Sequence, residues 1–263
     1  MDFDPRYVDV DFLKEPRYVF GDKTGPDFAR GYAAYEDSTP DIPESQWPGL
    51  AEKLEHENAG MENLITRIFN QKQEGSCVGN ATTQQNEIEQ AVQFGKDRVV
   101  QLSAISLYKR IGSGPMSGAN VSDALNEVTA RGILPLDTPA NRARFGDHVM
   151  PHTGFYTPFP AGWEKTAALF KGGEYSVVRS VAGLITALFN GHPVVVGRAG
   201  HSICYVRPVF KNGSLSVIYA NSWSEDWGMG LGGFKGGFGV DSLSMIRSAA
   251  GWAFAMRSIV VPN

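Results

Sequence analysis

Cysteine is scarce in this 263-residue chain. Cys77 and Cys204 are the two present, too few for a small secreted domain stapled by disulfides. No run of five or more basic residues occurs and the formal net charge is −4, which argues against nucleic acid as the main partner. Nothing approaches ~18 consecutive apolar residues, so no membrane-spanning helix is expected. The opening Met1-Asp2-Phe3-Asp4-Pro5 is acidic where a signal peptide is basic and then apolar. These absences point to a reducing compartment such as the cytoplasm, away from membranes. What is present is ordinary for a globular protein: 42% hydrophobic and 20% charged residues exclude a disordered or collagen-like chain.

Residues 1–41 read differently from the rest. Phe3, Tyr7, Phe12, Tyr18, Phe20, Phe28, Tyr32 and Tyr35 stand among Asp, Lys, Arg and Pro without a helical or strand period, and Pro5-Arg6-Tyr7-Val8 recurs as Pro16-Arg17-Tyr18-Val19. Disordered tails are poor in aromatics, so the segment is expected to be an extended arm docked on its own domain or on a neighbouring subunit. Helical patterns follow over 76–94, 103–111, 122–131 and 180–189, each closed by a glycine or by Asn190-Gly191. Strands are expected over 194–197, 201–210 and 215–220, with a hairpin turn at Lys211-Asn212-Gly213-Ser214. A helical front half, 61–135, and a sheet-rich back half, 136–263, predict an α+β protein of two lobes.

The chemistry begins at Gly75-Ser76-Cys77. A cysteine in the first turn of a helix feels the positive end of the macrodipole, which favours thiolate. Most lone cysteines are simply small buried hydrophobes, and Cys204, inside a strand, is read as one. Cys77 differs because His201 opens one strand of the hairpin and Asn221 ends the other, at the same open end. A thiolate nucleophile needs an imidazole to exchange its proton, and the imidazole needs a third group to fix its tautomer.

These residues resemble the papain-like cysteine peptidases. Gln71, six positions before Cys77, is similar to that family's oxyanion glutamine. Gly200-His201-Ser202-Ile203 resembles its histidine strand, and Asn221-Ser222-Trp223-Ser224-Glu225-Asp226-Trp227-Gly228 resembles its Asn-Ser-Trp-x-x-x-Trp-Gly motif. Ile42-Pro43-Glu44-Ser45-Gln46-Trp47 echoes the opening of the mature enzymes. His201 and Asn221 lie 124 and 144 positions beyond Cys77, close to the family's spacing. The chain departs from the pattern at Glu74, where a disulfide-bonded cysteine is usual, and at Val78, where an aromatic is usual. Those departures are similar to a prokaryotic and viral, disulfide-free branch.

The resemblance implies a two-lobe fold with helices in the first lobe, a sheet in the second and the site in the cleft between them. It implies that Cys77 attacks an amide carbonyl, that Gln71 and the Cys77 N–H hold the oxyanion, that His201 exchanges the proton and that Asn221 orients it. Trp223 would shield the His–Asn bond, while Gly75, Ser76 and Gly200 line the cleft. The substrate would be protein or peptide, with no cofactor and no metal; His56, His148, His152 and His192 show no metal-ligand spacing and read as surface or loop residues. The glycine-rich run 228–239 reads as a tight loop beside the cleft. Two other readings stand beside the peptidase: a related thiol amidase or acyl transferase, and a papain-fold component of a larger assembly such as a viral particle.

Two structural expectations follow. A plain two-residue turn at Asn212-Gly213 would put Asn221 opposite Cys204 and turn His201 to the other face, so the resemblance requires a bulge or an odd-length loop, with Pro208 as its expected place. The arm, short and without helical period, is not expected to be an inhibitory segment running through the cleft. Removing residues 1–35 should lower stability or break an assembly contact and leave Cys77 reactive.

Overall fold

The hairpin that the sequence marks at Asn212-Gly213 is the centre of the sheet. In the computed structural model, which describes residues 3–15, 21–23, 32–198 and 200–260, strands β1 (Tyr175–Val178), β2 (Val194–Arg198), β3 (His201–Lys211), β4 (Ser214–Ala220), β5 (Phe238–Ser242) and β6 (Ala253–Met256) form one sheet. Its order is β1-β6-β2-β3-β4-β5, with every neighbouring pair antiparallel. Asn212 and Gly213 both take positive φ, 50° and 76°, as a two-residue turn between right-twisted strands demands. The required irregularity is a bulge between Tyr205 and Arg207, beside Pro208 rather than at it. Past the bulge Cys204 pairs with Ala220, so Asn221 no longer stands opposite Cys204.

Helices α1 (Trp47–His56), α2 (Cys77–Phe94), α3 (Ala104–Ile111), α4 (Val121–Arg131), α5 (Pro139–Phe145), α6 (Trp163–Ala167), α7 (Val181–Phe189) and α8 (Leu243–Ala249) complete the structure. The α2–α4 group shares a core of Val78, Ile105, Leu107, Leu125 and Val128, which also draws in Met150, Ala167 and Phe170 from beyond residue 135. Gly79 lets α3 approach α2 closely: a Cβ there would meet Tyr108 Cβ at 3.0 Å. A second core lies under the sheet and includes Trp47, Leu184, Val196, Tyr219 and Trp223.

Helix α2 runs between these cores and is buried on nearly all sides, Thr82, Thr83, Gln84, Gln85, Asn86, Glu87, Glu89 and Gln90 included, while Val92 near its end is exposed. The buried polar side chains work as connectors. Gln85 Nε2 donates to the carbonyls of Pro193 and Phe254, both at 2.8 Å, and Glu87 Oε1 accepts from Leu102 N–H at 2.7 Å. Among the described residues no helix is long and apolar enough to cross a membrane.

The arm docks on its own chain. Val8 bridges Val240 on edge strand β5, and Ala34 bridges Val177 on the opposite edge strand β1, so the arm covers both open edges of the sheet. Its first stretch is not extended throughout: short 3₁₀ turns form at Pro5–Tyr7 and Phe12–Lys14. Phe12 and Tyr35 are fully buried, and Phe3, Tyr7 and Tyr32 partly so. Tyr18, Phe20, Phe28 and the second copy of the Pro-Arg-Tyr-Val repeat lie outside the described residues.

Candidate active site

Cys77 is the first residue of α2, and Gly75 N–H is tied to Pro115 O at 2.8 Å. Ser76 holds the N-cap position without capping through its side chain. Its φ/ψ of −97°/17° lies outside the extended region caps adopt, and its hydroxyl accepts from Asn80 Nδ2 at 3.0 Å instead. The thiol is fully buried and faces the backbone N–H of Ser202, the residue after His201. Antiparallel pairing to β2 sets His201 at the first position of β3.

His201 Nε2 lies 2.7 Å from Asn221 Oδ1. That oxygen also accepts from Ser222 N–H at 2.7 Å, which fixes it as the acceptor end of the amide. The imidazole therefore carries its proton on Nε2 when neutral, leaving Nδ1 as the basic nitrogen. The Trp223 ring stacks on His201 with centroids 4.6 Å apart and planes 30° apart. Asn221 N–H donates to Gly237 O at 2.9 Å, so the glycine-rich run props the asparagine segment from behind.

Gln71 arrives from the segment before α2. Its N–H donates to Ser222 O at 2.9 Å, and Asn70 bridges Trp223. Ser222 Oγ donates to Gln71 Oε1 at 2.6 Å, turning Nε2 to the donor side, where it meets Glu74 O at 2.8 Å. Two supports of this loop carry no sequence signal. His152, read as a surface or loop residue, is held under the loop: its Nε2 accepts from Asn70 N–H at 3.3 Å, and burial pushes its pKa down to about 3. Glu74, at the position of the usual disulfide cysteine, accepts the Gly154 and Phe155 N–H groups, both at 2.9 Å.

The cleft is occupied by the chain's own arm. Gly21 and Asp22 N–H both donate to Gly200 O, at 3.0 and 2.8 Å; Ala119 N–H donates to Gly21 O at 2.6 Å, and Lys23 N–H to Ala119 O at 2.9 Å. Three residues of extended main chain are thus bound to both walls at once, and the expectation that the arm stays out of the cleft is corrected. No helical period is needed for this. Glycines at 21, 75 and 118 let the backbones close: a Cβ on Gly21 would overlap Gly75 O, and one on Gly118 would overlap Gly21. Beneath this plug, burial and then the Asp22 charge push the Cys77 thiol up to about 12, and burial pushes His201 down to about 4. With residues 21–23 in place, both side chains are neutral at pH 7.

No family model matches the chain, and no curated protein is similar to it in sequence. Solved structures are similar to it. The digestive procathepsin L2 proteinase of Tenebrio molitor larval midgut superposes with a TM-score of 0.65 at 15% identity, over 92% of this chain and 78% of that one. Xylellain, a cysteine protease from Xylella fastidiosa, gives 0.57 at 17%, over 88% and 97%. Procathepsin B S9 from Trypanosoma congolense gives 0.57 at 14%, over 96% and 90%. The chain has the papain-like fold. Among the candidate site residues Cys77 faces the N–H of Ser202 next to His201, His201 is bonded to Asn221 and stacked on Trp223, and Gln71 is bonded to Ser222. At these identities the likeness is one of fold, and the chemistry is read from the residues themselves.

Proposed function

We propose that the chain is a cysteine-type peptidase, latent in this form. The observation that carries the proposal is the plug: the cleft beside Cys77 and His201 already binds an extended peptide backbone through Gly200 O and the Ala119 N–H and C=O. Two of the similar structures are, by name, pro-forms.

With the plug lifted, water reaches the thiol and Asp22 leaves, so both causes of its raised pKa are relieved. Cys77 passes its proton to His201 Nδ1, and the imidazolium is held by Asn221 Oδ1. The thiolate attacks the scissile carbonyl. Gln71 Nε2 and the Cys77 N–H, at the positive end of α2, stabilise the oxyanion. His201 returns the proton to the leaving amine, and water, deprotonated by His201, hydrolyses the thioester.

An irreversible thiol-directed peptidase inhibitor tests this reading. In the Gly21→Ala chain, where the plug cannot seat, labelling at Cys77 with hydrolysis of peptide substrates, both lost when Cys77→Ala is added, is the expected result. Hydrolysis retained in Cys77→Ala would overturn the assignment of the nucleophile. Labelling without peptide hydrolysis would favour the amidase or acyl-transferase reading.

A further inference from the structure

Besides Asn221 and Trp223, a third side chain bears on His201, and it comes from the arm. The Phe12 ring is fully buried, with its centroid 4.7 Å from that of His201 and 5.2 Å from that of Trp223, at 73° and 80° to their planes. It also meets the Tyr219 ring at 6.1 Å and the Arg198 guanidinium, 4.2 Å from its centroid. The hydrogen bond to Asn221 fixes the direction of Nε2, and the rings packed on the imidazole resist its rocking about that axis. Trp223 limits motion on one face. Phe12, nearly perpendicular to the stacked pair, packs against both rings and, being fully buried, excludes water from its side of them.

Phe12 is also anchored independently of the plug. Asp9 N–H donates to Val240 O at 2.8 Å, Asp9 Oδ1 accepts from Ser242 N–H at 2.6 Å, and Arg198, paired with Asp241, donates to Val10 O. None of these bonds involves residues 21–23.

We propose that Phe12 is a positioning residue for His201, so that the start of the arm is a lasting part of the site while residues 21–23 are its removable plug. The proposal rests on the peptidase reading for its kinetic test, and one measurement is independent of that reading.

In the full-length Gly21→Ala chain, where the plug cannot seat, Phe12→Leu, Phe12→Val and Phe12→Ala should lower kcat in that order. The losses should run from roughly threefold to ~30-fold as the wall shrinks, with KM moving less than about twofold. In the unopened chain with ¹⁵N-labelled histidine, the His201 Nε2–H resonance, identified by its loss in Asn221→Ala, should exchange with water at least ~10-fold faster in Phe12→Ala. Leu restores most of both signals because it refills the volume, and Leu and Val carry the test if Ala does not fold. Tyr35→Leu, which removes another buried arm ring, packed on His192 and Arg257, should lower the melting temperature and move neither signal. Unchanged kcat with unchanged exchange in the Phe12 series, or equal effects in Tyr35→Leu, would overturn the proposal. If the Gly21→Ala chain hydrolyses no peptide, the peptidase reading falls, and the resonance alone decides the role of Phe12.

Discussion

Gly21 of the arm lies directly against the carbonyl of Gly75, with no room between them for a single methyl group. The plug therefore depends on an atom that glycine lacks. Gly21→Ala should unseat residues 21–23 while the arm remains tied to β5 and β1. Cys77, relieved of burial and of Asp22, should then alkylate with iodoacetamide at pH 7.5 at least ~10-fold faster than in the parent. Mass spectrometry of Cys77 reads the rate directly, and equal rates would show that residues 21–23 do not gate the thiol.

Glu74 gives a second test, of the loop carrying Gln71. Its carboxylate is the acceptor for two backbone N–H groups, Gly154 and Phe155, and thus ties the nucleophile segment to a distant loop without a disulfide. Glu74→Ala should cost about 1–3 kcal/mol in urea unfolding, and Glu74→Gln, whose amide oxygen can still accept both bonds because both fall on one carboxylate oxygen, less than that. Equal stability of all three proteins would mean that the contact contributes nothing.

The helix starts and stops were legible because they are written in local residues. Ser103 and Ser180 cap α3 and α7 through their hydroxyls, and glycines end α3 and α4. The need for an irregularity in the hairpin was legible too, because the period of a strand forbids His201 and Asn221 to meet without a bulge or an odd-length loop; which of the two, and where, was not. The burial of α2 was not legible: its polar side chains are buried because they bond to other segments, and nothing in their order along the helix marks them as buried. Nor were the roles of Phe12, Gly21 and His152, which act through contacts more than fifty positions away in sequence, where a periodic pattern carries no information.

Glu89 is one of those buried polar groups, and it makes stability depend on pH. Burial pushes its carboxyl from 4.5 up to about 7, against a smaller opposing effect of the bond from Gln93. In the unfolded chain it ionises near the lower value, so between the two the folded protein holds a proton that the unfolded chain has released. Its contribution is therefore present at low pH and is lost as pH rises through about 7. His201 and His152, depressed to about 4 and about 3, act in the opposite sense, their contributions being lost as pH falls below 6.5. Glu89→Gln isolates the first effect. The variant should gain on the parent as pH rises from 5 to 8, ending on the order of 2–3 kcal/mol more stable. Parallel stability curves for the two proteins over that range would show that Glu89 does not titrate as described.

Gln71 and Ser222 make the last prediction. An amide serves as an oxyanion donor only if its nitrogen, not its oxygen, faces the reacting carbonyl, and here the choice is made by Ser222 Oγ donating to Gln71 Oε1. Gln71→Ala in the opened Gly21→Ala chain should lower kcat by ~100-fold or more with little change in KM, because the donor acts on the transition state. Ser222→Ala keeps the amide but removes what orients it. It should lose roughly tenfold, and adding Gln71→Ala to it should then cost less than Gln71→Ala does alone. Steady-state kinetics on the four combinations gives the coupling. Strictly additive losses would mean that Ser222 does not act through Gln71, and a loss confined to KM would remove Gln71 from the oxyanion site.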